Sequence, residues 1–183
     1  MCGIVGGVTE RNVVPILVEG LKRLEYRGYD SAGIAFQEQK KIALIKSLGR
    51  VQDLENKLNK NTSSTAGIAH TRWATHGIPS EKNAHPHVSN KNIYVVHNGI
   101  IENHEDLKSE LKSEGFKLYS QTDSEVIGHL IEFYKLRGMD FDSSVMKAIS
   151  RLKGAYALAV MDKNEPETPV SYTHLTLPTI CSV

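Results

Sequence analysis

The second residue of the chain is a cysteine, a residue type that can attack a carbonyl carbon. A small second residue permits removal of Met1, which would leave Cys2 with a thiol and a free α-amine on one residue. The pKa of an α-amine, about 7.7–8.0, lies close to that of a thiol, about 8.5, so the amine can accept the thiol proton. The pattern fits an N-terminal nucleophile, and the alternative is a buried cysteine with a structural role.

Asn98 and Gly99 form a second pair that could carry chemistry, because a thiol that attacks an amide needs donors for the resulting oxyanion. The Asn98 amide is such a donor, and Gly99 lets its backbone N–H approach a substrate without a Cβ in the way. An Asn-Gly step after a strand is also typical of a type I′ hairpin turn. The spacing alone favours the turn, and both interpretations stay open.

Two further residues could bind the charged groups of an amino acid, and a third could close over it. Arg72 offers a planar guanidinium that can hold a carboxylate with two hydrogen bonds. Asp123 could hold an ammonium group, and Trp73 could close a loop over a ligand. The alternatives are a surface arginine, a half-buried tryptophan, and an acid that complements a helix dipole.

Six histidines lie between residues 70 and 104, and His85 and His87 form a His-x-His step. In an extended segment this spacing places both rings on one side, which could suit a metal ion. The sequence has no His-Glu-x-x-His motif, no cysteine pair and no clear carboxylate as a third ligand, so metal binding is disfavoured. The glycine-rich phosphate-binding motifs are absent too, and nothing indicates a nucleotide site.

The composition is that of an ordinary globular protein. The chain has 183 residues, 23% of them charged and 40% hydrophobic, which excludes a disordered chain and fits one domain. A net charge of +1 gives no general attraction to nucleic acid or to an anionic membrane. No apolar run reaches the ~18 residues of a membrane span. Two cysteines make no disulfide framework, so we expect a protein of the reducing cytoplasm.

The elements that must position these residues alternate between strands and helices, which predicts a layered α/β or α+β architecture. Residues 71–92 show no periodicity, and a Thr122–Glu125 capping box precedes one helix. Strands are predicted at 4–8, 32–36, 41–46, 65–70, 93–97, 116–119 and 155–161, and helices after Asn12, from Val51, around Leu107, after Glu125 and around Val145.

Residues 168–183 differ from the rest of the chain, because they contain no charged side chain and no element period. We interpret this segment as foreign sequence and expect no element there. The resulting domain prediction is one unit at 1–167 followed by a tail at 168–183, which includes Cys181.

Several segments resemble class II glutamine amidotransferases, and within them the glutaminase half of the glucosamine-6-phosphate synthase family. The segments are MCGIVG at 1–6, RLEYRGYDSAG at 23–33, HTRWATHG at 70–77, NAHPH at 83–87, HNGIIEN at 97–103 and TDSE at 122–125. The resemblance implies an α+β fold of the N-terminal-nucleophile type, an αββα sandwich that is incomplete at its C-terminus here.

The resemblance also implies an activity and a set of roles. Glutamine would be hydrolysed through a Cys2 thioester, and ammonia would pass to fructose 6-phosphate, giving glucosamine 6-phosphate, with no metal or cofactor. The sugar-isomerase domains of the family would lie outside this chain, which alone would make no amino sugar. The whole enzyme is expected to be a homodimer. The implied roles are catalysis for Cys2, Asn98 and Gly99, glutamine binding for Arg72, Thr75, His76, Gly77 and Asp123, and positioning or gating for Arg27 and Trp73.

Three alternatives remain. Another class II amidotransferase would send ammonia to a different acceptor, such as phosphoribosyl pyrophosphate. A non-catalytic module could use the same fold, in which case the Cys2 thiol would be inert. A metal hydrolase is the third, and elemental analysis would reveal it.

Overall fold

The computed structural model describes residues 2–74 and 77–173. Within them the chain forms eight strands, five α-helices and one 3₁₀ turn at Glu25–Arg27. The strands are β1 (Gly3–Val8), β2 (Ser31–Glu38), β3 (Lys41–Leu48), β4 (Ala66–Arg72), β5 (His87–Ser89), β6 (Ile93–Gly99), β7 (Tyr156–Asp162) and β8 (Val170–Thr173). The helices are α1 (Val14–Leu24), α2 (Val51–Lys57), α3 (His104–Ser113), α4 (Glu125–Lys135) and α5 (Phe141–Ile149).

The strands form two antiparallel sheets of four strands each. The first has the order β1-β4-β2-β3 and the second the order β5-β6-β7-β8. Helix α1 packs on β1 and β4, and α2 packs on β3. Helix α4 packs on β5 and β6 of the second sheet, with α3 and α5 beside it.

The two sheets face each other because apolar side chains lie on both faces of their strands. Successive side chains of a strand point to opposite faces. In β4, Ala69 therefore packs with α1 while its neighbour Ile68 packs toward the second sheet. In β6, Val95 packs with α4 while Tyr94 and Val96 meet the first sheet. The result is a four-layer αββα sandwich, which confirms the expected α+β fold.

The prediction of a strand at 116–119 is wrong. The segment has no strand partner, and its backbone is held instead by the first residue of α4. The Glu125 carboxylate accepts the N–H groups of Tyr119 at 2.8 Å and Ser120 at 2.7 Å. This use of Glu125 also displaces the predicted capping box, since Thr122 Oγ1 lies 3.0 Å from His87 Nε2 instead.

The expectation of no element after residue 167 is also wrong in part. Strand β8 pairs with β7 from Val160↔Val170 to Ala157↔Thr173. Val170 and Tyr172, on one face of β8, pack against the core under the second sheet. Residues 174–183, including Cys181, lie outside the described residues, and the domain boundary at 167 stays a prediction.

Among the described helices, none has both the length and the apolar character that crossing a bilayer requires.

Candidate active site

A small cleft lies where the start of β1 meets the ends of β4 and β6. Residues from five separate parts of the sequence reach it, because β1 and β4 belong to one sheet and β6 to the other. The lining residues are Cys2, Arg72, Trp73, His85, His97, Gly99, Thr122, Asp123 and Ser124. Five of the residues predicted to form a site are thus brought together: Cys2, Arg72, Trp73, Gly99 and Asp123.

The Cys2 thiol is half-buried and contacts the backbone of Trp73. The Trp73 N–H donates to Sγ at 3.2 Å, and Sγ lies 3.5 Å from the Trp73 carbonyl oxygen. Burial raises the pKa of the Cys2 thiol, and the hydrogen bond from Trp73 opposes that effect without cancelling it. Within the described residues Cys2 forms no disulfide, and the thiol is held in its protonated form unless a base accepts its proton.

Asn98 and Gly99 end β6 and are not a hairpin turn. Both still pair with β7, as Asn98↔Ala157 and Gly99↔Tyr156, and the chain leads from them toward α3. Gly99 has a φ of 121°, and a Cβ there would lie 2.2 Å from the Ala155 carbonyl oxygen, so only glycine fits. Asn98 Nδ2 donates to the Cys2 carbonyl oxygen at 3.2 Å, which places this amide beside the cysteine.

Arg72, the last residue of β4, is 3% exposed and held in place by its own loop and by Asp30. Its Nη2 donates to the Gly77 carbonyl oxygen at 3.1 Å, and Nη1 lies 3.7 Å from Asp30 Oδ1. The Asp30 N–H donates to the Arg72 carbonyl oxygen, and the Asp30 carboxylate accepts the N–H of Ala74. Sequence reasoning did not select Asp30 as a site residue, although it lies inside the 23–33 motif.

Asp123 precedes α4 but does not cap it. Its Oδ2 accepts the Ile101 N–H at 2.8 Å, and its Oδ1 lies 3.3 Å from Ser124 Oγ, the donor of that contact. The carboxylate is 4% exposed and connects the segment after Gly99 to the start of α4. The helix-dipole interpretation does not account for the main contact of Asp123, the hydrogen bond from the Ile101 N–H. This bond fixes the chain beside the cleft.

The remaining predicted residues lie around the cleft or outside the described part. Thr75 and His76 are outside the described residues. Gly77 has a φ of 77°, and a Cβ there would lie 2.7 Å from Asn83 Nδ2. Trp73 is half-exposed and packs edge-to-face on Tyr29, with ring centroids 5.9 Å apart. Arg27 is not among the lining residues; its Nε donates to the Tyr26 hydroxyl at 3.0 Å.

Four of the clustered histidines, His70, His85, His87 and His97, are buried, and two of them, His85 and His97, line the cleft. The ring of His85 lies 4.1 Å from that of His70 and 4.6 Å from that of His87, between centroids. Burial lowers the pKa of His85 and His87 well below the ordinary value, so these rings are neutral at neutral pH. In the part of the chain that the structure describes, no group of three or more His, Cys, Asp or Glu residues could hold a metal ion.

Comparison with known proteins points to one family. Residues 70–174, more than half of the chain, match the family model described as a glutamine amidotransferase domain. The chain is 52% identical over 170 residues to the glutamine–fructose-6-phosphate aminotransferase [isomerizing] of Escherichia coli (strain K12), covering 92% of this chain. It is 53% identical over 173 residues to the protein of that name from Clostridium tetani (strain Massachusetts / E88), covering 93% of this chain. The chain spans 28% of the length of each of these relatives.

A solved structure shares the architecture. The glutamine phosphoribosylpyrophosphate amidotransferase from B. subtilis, complexed with ADP and GMP, matches with a TM-score of 0.76 and 26% identity. The match covers 89% of this chain and 35% of that one.

Proposed function

The chain belongs to the glutamine amidotransferase family, and from this premise we propose that it hydrolyses L-glutamine and supplies ammonia to an acceptor site elsewhere in a longer protein. The proposal rests on one observation: Cys2 lies beside the Asn98 amide and Gly99 at one end of the sandwich. A nucleophile, an amide donor and a glycine backbone beside it are the parts that acyl transfer from an amide requires.

The proposed chemistry begins with removal of Met1. The freed α-amine of Cys2 accepts the thiol proton, and Sγ attacks the side-chain carbonyl carbon of glutamine. Donors from Asn98 Nδ2 and the Gly99 N–H stabilise the resulting oxyanion. The C–N bond then breaks, the α-ammonium returns a proton to the leaving group, and ammonia departs. Water hydrolyses the thioester, which gives glutamate and regenerates the thiol.

Two charged side chains that line the cleft would hold the amino-acid end of glutamine. Arg72, which contacts Asp30 and Gly77, would receive the α-carboxylate, and Asp123, which accepts the Ile101 N–H, would receive the α-ammonium. Thr75, His76 and Gly77 would complete the pocket, and Trp73, half-exposed at its edge, would close over it. Arg27 would help to position the end of the chain that carries Cys2.

We propose fructose 6-phosphate as the ammonia acceptor and glucosamine 6-phosphate as the product. The names of relatives 52–53% identical to this chain support this choice over phosphoribosyl pyrophosphate, which is named for a structure only 26% identical. The acceptor site would lie in the remaining length of the whole protein, so the chain alone would release ammonia into water.

The test is labelling with a γ-diazoketone analogue of glutamine. The full-length protein should gain one adduct on Cys2, and glutamine should protect it. Cys2→Ala should lower glutamate release by several orders of magnitude, since removing a nucleophile abolishes the covalent route.

In the 183-residue chain, Cys181→Ala is the matched control for labelling, because it removes the other cysteine of that chain and should leave the adduct on Cys2 unchanged. An inert Cys2 would identify a non-catalytic module. Hydrolysis that survives Cys2→Ala but is lost to a chelator would identify a metal hydrolase.

A further inference from the structure

His70, in the middle of the sandwich, contacts the Asn98 side chain directly. The ring belongs to β4 and is fully buried. Its Nε2 lies 2.8 Å from Asn98 Oδ1 and 3.1 Å from the His97 carbonyl oxygen. Both partners are acceptors, so Nε2 carries the proton and donates to both, and Nδ1 is the unprotonated nitrogen.

We propose that His70 is a positioning residue for glutamine hydrolysis, which fixes the Asn98 amide so that its NH₂ group faces Cys2. This inference rests on the proposed function, in which that NH₂ group is an oxyanion donor. His70 touches neither the thiol nor the substrate and acts only through Asn98.

The reason is the symmetry of the amide. An asparagine side chain can turn by 180° and exchange its oxygen and nitrogen with little change in shape. The reversed amide would place its NH₂ against the His70 N–H and its oxygen against the Cys2 carbonyl oxygen, which opposes donor to donor and acceptor to acceptor. The bond from His70 to Oδ1 and the bond from Nδ2 to the Cys2 oxygen therefore favour one orientation together.

The surroundings of His70 keep its ring neutral, so that Nε2–H remains the donor to Asn98. Burial lowers the pKa of His70 to about 3, against the opposing effect of its hydrogen bonds to Asn98 and His97. Nearby His97 and Arg72 lower the pKa further, and the His85 ring packs against the His70 ring with the two planes tilted by 34°. His70 is thus neutral throughout the working pH range, with a single N–H to give.

A purely structural histidine would behave differently from a positioning residue. Loss of a structural residue would lower stability and disturb binding and turnover together. Loss of the Asn98 orientation would act on the transition state, because the donor is needed where charge develops. The two roles therefore differ in the split between kcat and KM, and in whether the loss depends on Asn98.

The experiment compares His70→Leu, His70→Gln and Asn98→Ala in the full-length protein. Asn98→Ala should lower kcat for glutamine hydrolysis by roughly 10²–10³, as for loss of one oxyanion donor. His70→Leu, which has no N–H, should lower kcat by about 10–100-fold with little change in KM. His70→Gln keeps an N–H at similar reach and should recover most of that loss.

The decisive measurement is the double variant. In the Asn98→Ala background, His70→Leu should lower kcat no further, because the amide it orients is gone. His129→Leu is the matched control, since His129 is another buried histidine whose ring contacts Ser89. Its effect, if any, should be the same in both backgrounds.

The outcomes separate the two proposals. Additive losses from His70→Leu and Asn98→Ala, or a folded His70→Gln as impaired as Asn98→Ala, would overturn the role of His70 alone. If His70→Leu does not fold, His70→Gln still decides. If Asn98→Ala leaves kcat unchanged, the oxyanion assignment fails, and the role of His70 fails with it.

Discussion

The Cys2 thiol is subject to two opposing effects at the residue scale. Burial raises its pKa, and the Trp73 N–H lowers it by stabilising the thiolate. Burial dominates, so the thiolate, which is the reactive form, is scarcer at pH 7 than for an ordinary cysteine. A thiol in this position depends on a nearby base, and the α-amine of the same residue is the group that the proposed mechanism supplies.

This dependence predicts a pH effect. If a bulky second residue is inserted so that Met1 is retained, the Cys2 amine is lost in a peptide bond. Labelling by the diazoketone should then rise only at pH values above the ordinary thiol pKa of about 8.5, because the folded-state value is raised. With a free amine the rise should come near the amine pKa of about 7.7–8.0. Labelling rates from pH 6 to 10 measure both curves, and identical curves would contradict the role of the amine.

Other residues show what sequence alone can and cannot predict. The chemistry of Cys2, Arg72 and Asp123 could be proposed from residue type, and the structure places all three at one cleft. The local sequence could not show whether Asn98 and Gly99 form a hairpin turn, because the answer depends on their pairing with β7, a strand far along the chain. The contact of His70 with Asn98 could not be predicted from the sequence, because it joins strands of two different sheets.

At the scale of elements, hydrophobic periodicity predicted most strands and helices to within a few residues. It failed at 116–119, where the Tyr119 N–H donates to the Glu125 carboxylate and the Phe116 N–H donates to the Leu111 carbonyl oxygen, and the segment has no strand partner. Burial raises the pKa of Glu125, but its contact with His129 and its hydrogen bonds with Ser120 and the Tyr119 N–H outweigh this and lower the pKa to about 2. The charged carboxylate can therefore organise the turn at neutral pH.

Strand β8 carries a prediction of its own. A chain that ends at residue 173 keeps the pairing with β7 and the packing of Tyr172 on Tyr156, whose rings lie 5.9 Å apart. A chain that ends at residue 167 loses both, and its free energy of unfolding should fall by about 1–3 kcal/mol, the order expected for burying an aromatic and a valine side chain.

Urea unfolding of these two chains, followed by circular dichroism, measures the difference. Equal stability would show that residues 168–173 contribute nothing to the fold and would support a domain boundary at 167.

At the scale of the whole molecule, the cleft depends on how the two sheets are aligned. Cys2 directly precedes β1 and Arg72 ends β4, both strands of the first sheet, whereas Asn98 and Gly99 end β6 of the second. Their relative position is set by the apolar layer between the sheets. The members of that layer include Ala35, Ile42, Ala66, Ile68, Tyr94, Val96, Ala159 and Met161.

Met161 tests the importance of this layer. It lies on β7, is fully buried and faces the first sheet, so Met161→Ala leaves a cavity between the sheets. We expect the free energy of unfolding to fall by about 2–5 kcal/mol, as for other buried methionines reduced to alanine. Met146→Ala is the matched control, because Met146 lies on α5 and is 59% exposed, so its effect should stay within about 0.5 kcal/mol. Urea unfolding measures both values.

The kinetic prediction concerns kcat for glutamine hydrolysis in the full-length protein. This kcat should fall for Met161→Ala and not for Met146→Ala, because only Met161→Ala loosens the alignment of Asn98 with Cys2. A Met161→Ala protein with lowered stability but unchanged kcat would show that the two sides of the cleft are aligned by their own hydrogen bonds rather than by the layer between the sheets.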